Sequence, residues 1–156
     1  MKRRLARTAG VLLLGALGAV APASGATSAS QRAVAHSAGT IHIADTAHLH
    51  LVKASGASLH EVGPVSGTLS GSMQAVLNVS ASFSGEFTIS TGRGTIKGHG
   101  TAVPHGSGRY ESFAGSIVVT GGSGRYTHVH GRGGLFGTFD RRTFLFVIQT
   151  TGELSD

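Results

Sequence analysis

Hydrophobic and polar residues alternate most regularly between Leu77 and Ile89. The apolar side chains share one parity and the polar ones the other, and Gly85 falls on the apolar side. Because successive side chains of a strand point to opposite faces, this pattern predicts a β-strand with one buried and one solvated face. The range is longer than a usual strand, so we expect a bend or bulge at Gly85. We also expect Phe83 and Phe87 to point into the core.

Short segments of the same kind follow one another along the chain. Residues 41–51 alternate apolar residues with histidines, with Asp45-Thr46 between them as a predicted turn or bulge, and a strand or a hairpin fits equally well. Further strands are predicted at 95–103, 110–120, 126–132, 135–139 and 143–152, with turns at 104–108, at Gly133-Gly134 and at 140–142. A meander of this kind protects its edges best by closing. The sequence therefore predicts an all-β fold, a single antiparallel up-and-down β-barrel of about eight strands over residues 41–156.

One five-residue motif occurs twice. Residues 106–110 have the sequence Gly-Ser-Gly-Arg-Tyr, and residues 122–126 repeat it. Glycine supplies the positive φ angles that tight turns require, so we expect positive φ at Gly108 and Gly124. The two copies predict neighbouring hairpins in which each tyrosine begins a strand.

The first residues are typical of a secretory signal peptide. A basic region comes first, formed by Lys2, Arg3, Arg4 and Arg7. An apolar run over 9–21 follows, too short to span a bilayer, and small residues then allow cleavage after Ala23 or Ala26. We predict a signal peptide over 1–26, a flexible leader over 27–40 and a secreted mature protein. The Sec and twin-arginine export routes both stay open.

The charge of the chain belongs largely to this first segment. The formal net charge is +6, from 13 basic and 7 acidic residues. Four of the basic residues precede the expected cleavage sites, and nine minus seven leaves +2 for the mature chain. The remaining basic residues are scattered among glycines, so we expect no nucleic-acid partner, and no membrane association after signal cleavage. With no cysteine, the domain has no disulfide to stabilise it.

Histidine is the most abundant residue with possible chemistry. His128 and His130 share a strand face with Tyr126 and Arg132, and this set could serve acid–base chemistry if it faced the barrel interior. The alternation of residues 77–89 indicates that apolar side chains fill the interior, so we expect the histidines to face solvent instead. No third ligand stands at a diagnostic spacing, so we expect no metal site. Arg109 is expected to pair with a carboxylate such as Glu111.

Three stretches carry a family resemblance: 89–94, 119–126 with Gly131, and 137–154, which begins Gly-Thr-Phe-Asp. They resemble the allene oxide cyclase and dirigent type of small β-barrel, in its bacterial secreted branch. In the plant relatives the barrel interior holds an apolar or phenolic small molecule and steers its ring closure or coupling. The resemblance implies a barrel with a cavity. The plant catalytic residues match no positions here, so none are transferred.

These observations predict a secreted barrel without a cofactor. It would bind a small apolar or aromatic molecule, or act as an extracellular interaction module, without turnover. The alternative is a cyclase-like or isomerase-like enzyme that confines a reactive apolar ligand in the barrel interior. The catalytic residues and the oligomeric state are left unassigned. The candidate ligand-binding residues are Leu77, Val79, Ala81, Phe83, Phe87, Tyr110 and Tyr126.

Overall fold

The computed structural model describes residues 39–156, which form eight β-strands. The strands are β1 Thr40–Ser55, β2 Ser58–Gly67, β3 Gly71–Val79, β4 Phe83–Thr91, β5 Gly94–His105, β6 Tyr110–Gly122, β7 His130–Asp140 and β8 Leu145–Ser155. The expected signal peptide and nearly all of the expected leader lie outside the described residues. Among residues 39–156, no helix has the length and apolar character needed to cross a membrane.

Each strand pairs antiparallel with the next, and β8 pairs with β1, so the sheet is a closed barrel. Closure gives every strand two hydrogen-bonded neighbours and leaves no free edge. The predicted fold class, an all-β antiparallel up-and-down barrel of eight strands, is confirmed. We call the end with the β1–β2, β3–β4, β5–β6 and β7–β8 turns the hairpin end. The other end is the terminal end, and the barrel interior is the lumen.

Residues 77–89 form a hairpin, so the prediction of one long strand is wrong. Val79 and Phe83 are direct cross-strand partners, and Ser80, Ala81 and Ser82 form the turn between them. Because an odd number of residues separates the two partners, the inward parity is the same before and after the turn. The alternation therefore runs through the turn without a break. Gly85 lies inside β4, where the pairing with both neighbouring strands is continuous, so it is not the site of a bulge.

Two other glycine-based predictions are also corrected. Gly133 and Gly134 lie in the middle of β7 rather than in a turn. A Cβ on Gly133 would lie 2.4 Å from the backbone oxygen of Thr151, so this glycine allows β7 and β8 to approach closely. Residues 41–51, for which a strand and a hairpin were equally open, lie within the single strand β1, and the turn or bulge expected at Asp45-Thr46 is regular strand instead.

The repeated motif lies in two consecutive connections at opposite ends of the barrel. The second copy has the expected positive φ at Gly124, which is +61°. In the first copy the positive φ is at Gly106, at +104°, and not at Gly108 as predicted. Tyr126 is buried in a short 3-10 helix, Gly124–Tyr126, instead of beginning a strand. Tyr110 does begin β6, but 66% of its surface is exposed.

Four phenylalanines fill the lumen at the hairpin end. The ring of Phe83 lies 5.6 Å from that of Phe113, 5.7 Å from that of Phe139 and 5.9 Å from that of Phe146, with edge-on geometry. Phe139 and Phe146 stack at 4.3 Å. Aromatic pairs with these geometries add stability beyond the area they bury. Phe83 points inward as predicted, and the cluster closes this end of the core.

Candidate functional site

The lumen contains an apolar cavity of about 80 Å³. Every strand except β2 contributes residues to its wall, and Leu69 from the β2–β3 turn completes it. Among the lining side chains are Ile43, Met73, Ala75, Phe83, Ile96, Ala102, Ile117 and Phe146. The cavity therefore borders the phenylalanine cluster, since Phe83, Phe113 and Phe146 belong to its wall.

Paired glycines contribute to this cavity. Gly85 on β4 is the direct partner of Gly100 on β5, so two neighbouring strands present no side chain to the lumen at the same level. A Cβ on Gly100 would come within 3.2 Å of Leu135 and 3.3 Å of Ile117. Next to this pair, Gly98 leaves room for Phe87, whose ring would be 2.7 Å from an added Cβ. Glycines inside strands thus let neighbouring side chains pack directly against the backbone of the cavity wall.

One buried carboxylate lies on the cavity wall. Asp45 is 7% exposed, and its Oδ1 accepts a hydrogen bond of 2.7 Å from the backbone N–H of Leu69. Its Oδ2 has no hydrogen-bond partner among residues 39–156. Burial raises the pKa of Asp45, and the backbone N–H groups of Leu69 and Thr68 beside the carboxylate oppose part of that rise. One oxygen of this side chain is held by the protein, and the other is unsatisfied.

A second buried carboxylate is on the inward parity of β2. Glu61 on β2 is 1% exposed, and neither of its oxygens has a hydrogen-bond partner among the described residues. Its cross-strand partners are Leu51 on β1 and Ala75 on β3, which offer no charge. Burial raises the pKa of Glu61 to about 7. Glu61 does not line the apolar cavity.

The structure brings together only some of the predicted ligand-binding residues. Leu77, Phe83 and Phe87 line the cavity. Val79 packs against the core but does not line the cavity. Ala81 is exposed in the β3–β4 turn because the predicted long strand is a hairpin. The two tyrosines lie elsewhere, Tyr110 on the exposed face of β6 and Tyr126 buried outside the cavity wall.

Asp45 was missed at the sequence level, although a signal was present. The segment containing Asp45 was interpreted as a turn or bulge within residues 41–51. Asp45 nevertheless shares its parity with Ile43 and Leu49, which both face the lumen. An acidic residue on the apolar parity of a strand is unusual enough to mark a candidate site.

The histidines lie outside the lumen. All eight histidines among residues 39–156 are exposed, including His128 and His130, as expected for the polar parity. The Nδ1 atom of His130 lies 3.2 Å from the backbone oxygen of His128, and its Nε2 lies 3.2 Å from the Ser155 hydroxyl. Within the described part of the chain, no group of three or more His, Cys, Asp or Glu residues could hold a metal ion.

Comparison with protein-family models, with curated proteins and with solved structures gave no match. The closed barrel is shown by the strand pairing alone. The resemblance to the allene oxide cyclase and dirigent type of barrel therefore stays a prediction, carried by the turn motifs.

Proposed function

We propose that this protein is a secreted β-barrel that binds one small apolar molecule in its lumen without turnover. The observation that carries the proposal is the apolar cavity beside the Gly85–Gly100 pair. Most side chains that line this cavity are apolar and buried, so the lumen offers an apolar ligand a site shielded from water. Export is supported by the basic and apolar pattern of the first residues.

The cavity volume limits the size of the ligand. An apolar cavity of roughly 150 Å³ holds one benzene molecule. The cavity of about 80 Å³ is smaller, so it favours a short aliphatic molecule over an aromatic ring. A ligand of this size would gain its affinity from dispersion contacts with the cavity wall and from the hydrophobic effect.

Xenon is a suitable first probe, because it binds dry apolar cavities without needing a polar partner. We expect a saturable ¹²⁹Xe NMR shift with the wild-type barrel, and a melting temperature that rises under xenon pressure through binding linkage. Ala102→Val adds two methyl groups to a buried cavity-lining position and should abolish the saturable shift. Ala81→Val makes the same chemical change in the exposed β3–β4 turn and should leave it intact.

Absence of a saturable shift in the wild type would overturn binding in the lumen. It would favour the interaction module, in which the phenylalanine cluster serves stability alone. Equal loss of the shift in both alanine variants would show that the xenon site is not the cavity.

A second candidate function is the cyclase-like or isomerase-like enzyme. The observation that favours it is Glu61, because a buried acid with a pKa of about 7 can donate or accept a proton near neutral pH. Against it, β2 supplies no residue to the cavity wall. Conversion of a confined ligand by the wild type, lost in Glu61→Gln with binding retained, would favour this candidate.

A further inference from the structure

We propose that Asp45 anchors the ligand, and that the ligand is an aliphatic molecule with one hydrogen-bond donor, such as an alcohol. This inference rests on the proposed function and deepens it, because it names the chemical class that the lumen selects. It depends on three observations: the burial of Asp45, the unequal use of its two oxygens, and its place on the cavity wall.

The two carboxylate oxygens of Asp45 have different roles. Oδ1 accepts the Leu69 N–H, which fixes the rotamer of the side chain against the β2–β3 turn. Oδ2 has no hydrogen-bond partner among the described residues, although only 7% of the Asp45 surface is exposed to solvent. A buried oxygen without a donor costs free energy that a donor from a ligand would recover.

The neighbouring strands β1 and β8 contribute a polar part of the cavity wall. Thr150 on β8 is the cross-strand partner of Asp45, and both residues line the cavity. The Thr150 hydroxyl can donate or accept, whereas a carboxylate only accepts. The other acidic lining residue, Glu86, is exposed on the outer face of β4. Among the described lining residues, Asp45 is thus the acidic group turned toward the lumen.

This arrangement discriminates among ligand classes. Anions are disfavoured, because burial beside a carboxylate adds repulsion to the cost of desolvation. Ethers and ketones offer acceptors only, so they leave Oδ2 unsatisfied. A hydrocarbon fills the cavity but leaves the same oxygen without a donor. An alcohol fills the apolar space and donates to Oδ2, and a site built around a hydrogen bond rejects an analogue that lacks it.

The test compares ethanol with dimethyl ether, which has the same number of non-hydrogen atoms but no donor; both are clearly smaller than benzene, as the cavity requires. Chemical-shift titrations of the wild-type protein should give about a tenfold or greater preference for the alcohol. In Asp45→Asn, the amide oxygen can still accept from Leu69, while the amide N–H₂ now faces the ligand as a donor. That variant should bind both compounds about equally, because an ether accepts as well as an alcohol.

Glu61→Gln is the matched control. It replaces another buried carboxylate by its amide, but β2 lies outside the cavity wall, so the preference for ethanol should not change. If Asp45→Asn fails to fold, the wild type still gives a test. The side-chain carboxyl ¹³C resonance of Asp45 should shift with ethanol and not with the ether.

The outcomes separate this inference from the proposed function. If xenon binds and the wild type does not distinguish alcohol from ether, the anchor is overturned while binding in the lumen stands. A preference that survives in Asp45→Asn, or a carboxyl resonance that ethanol leaves unmoved, also overturns the anchor. If neither xenon nor either compound binds, the proposed function fails and the anchor fails with it.

Discussion

Arg141 donates hydrogen bonds of 3.0 and 2.7 Å to the two carboxylate oxygens of Glu111. Glu111 is buried at the start of β6, and Arg141 lies in the turn that follows β7. Arg109, which was expected to pair with Glu111, instead holds Asp140 through a bidentate contact at 2.8–3.2 Å. Each of the two turns, β5–β6 and β7–β8, therefore supplies an arginine that pairs with a carboxylate beside the other turn. These paired contacts tie the turns together at the hairpin end.

The Arg141–Glu111 pair should matter more than an exposed pair. Arg141→Leu leaves a buried carboxylate without its partner, and we expect the melting temperature to fall by about 5 °C or more. His42→Ala removes a pair with Glu153 in which both side chains are mostly exposed, so little change is expected. Thermal unfolding followed by circular dichroism measures both. Equal melting temperatures for the two variants would contradict the role assigned to the buried pair.

Glu61 should make stability depend on pH. Because burial raises the pKa of Glu61 from 4.5 to about 7, the folded state prefers the neutral acid. The stability that neutral Glu61 contributes to the folded state is fully present below pH 4.5, declines as the pH rises, and is lost above pH 7. The shift corresponds to about 3 kcal/mol of unfolding free energy.

Urea unfolding of Glu61→Gln at two pH values measures this effect. The variant should match the wild type at pH 4.5 and be more stable by about 3 kcal/mol at pH 8, because an amide does not ionise. Glu86→Gln, on the exposed outer face of β4, serves as the control and should show no such difference. A gain for Glu61→Gln that is the same at both pH values would contradict the raised pKa.

Phe83 should be one of the most sensitive core positions. It contacts three other phenylalanines and is 7% exposed, so Phe83→Ala removes the centre of the cluster. We expect a loss of about 3–5 kcal/mol in unfolding free energy. Ser82→Ala, at the neighbouring exposed turn position, should change little. Similar losses in urea melts of the two variants would mean that the cluster does not stabilise the core.

The repeated turns should respond unequally to valine. Gly124 has φ of +61°, and an added Cβ would lie 2.6 Å from the backbone oxygen of Arg93, so Gly124→Val combines strain with a clash. Gly106→Val is strained by its φ of +104° but meets no atom within 4 Å. Gly108→Val meets neither obstacle. We therefore expect the largest loss of melting temperature for Gly124→Val, a smaller loss for Gly106→Val, and a loss of only about 0–2 °C for Gly108→Val. A different order would contradict this account.

The sequence was sufficient for the fold class because period-two alternation and glycine turns both report on local geometry. It could not locate the turn at residues 80–82, since an odd-numbered turn preserves the parity on which the prediction depended. It also misplaced Gly133, because glycine serves close strand contact as well as turns. Which function a glycine serves depends on the neighbouring strand, and sequence spacing does not reveal that neighbour.

The candidate site was harder to predict for a similar reason. Phe83 and Phe87 were identified because their own strand shows the inward parity. Asp45 becomes a candidate only when Leu69 and Thr150, distant in sequence, are seen around it. A cavity is a property of several strands together, and the pairing of Gly85 with Gly100 requires the register of β4 against β5.

The pairing of β1 with β8 has a consequence for how the chain can be rearranged. Thr40 is the direct partner of Ser155, so the first and last strand residues lie side by side. A short linker could join them, and new termini could be opened at the exposed β3–β4 turn by circular permutation. All eight strand pairings would be retained, while the contact between β1 and β8 would change from the most distant in sequence to a local hairpin. Because closing a long loop slows folding, the permuted barrel should form that contact earlier.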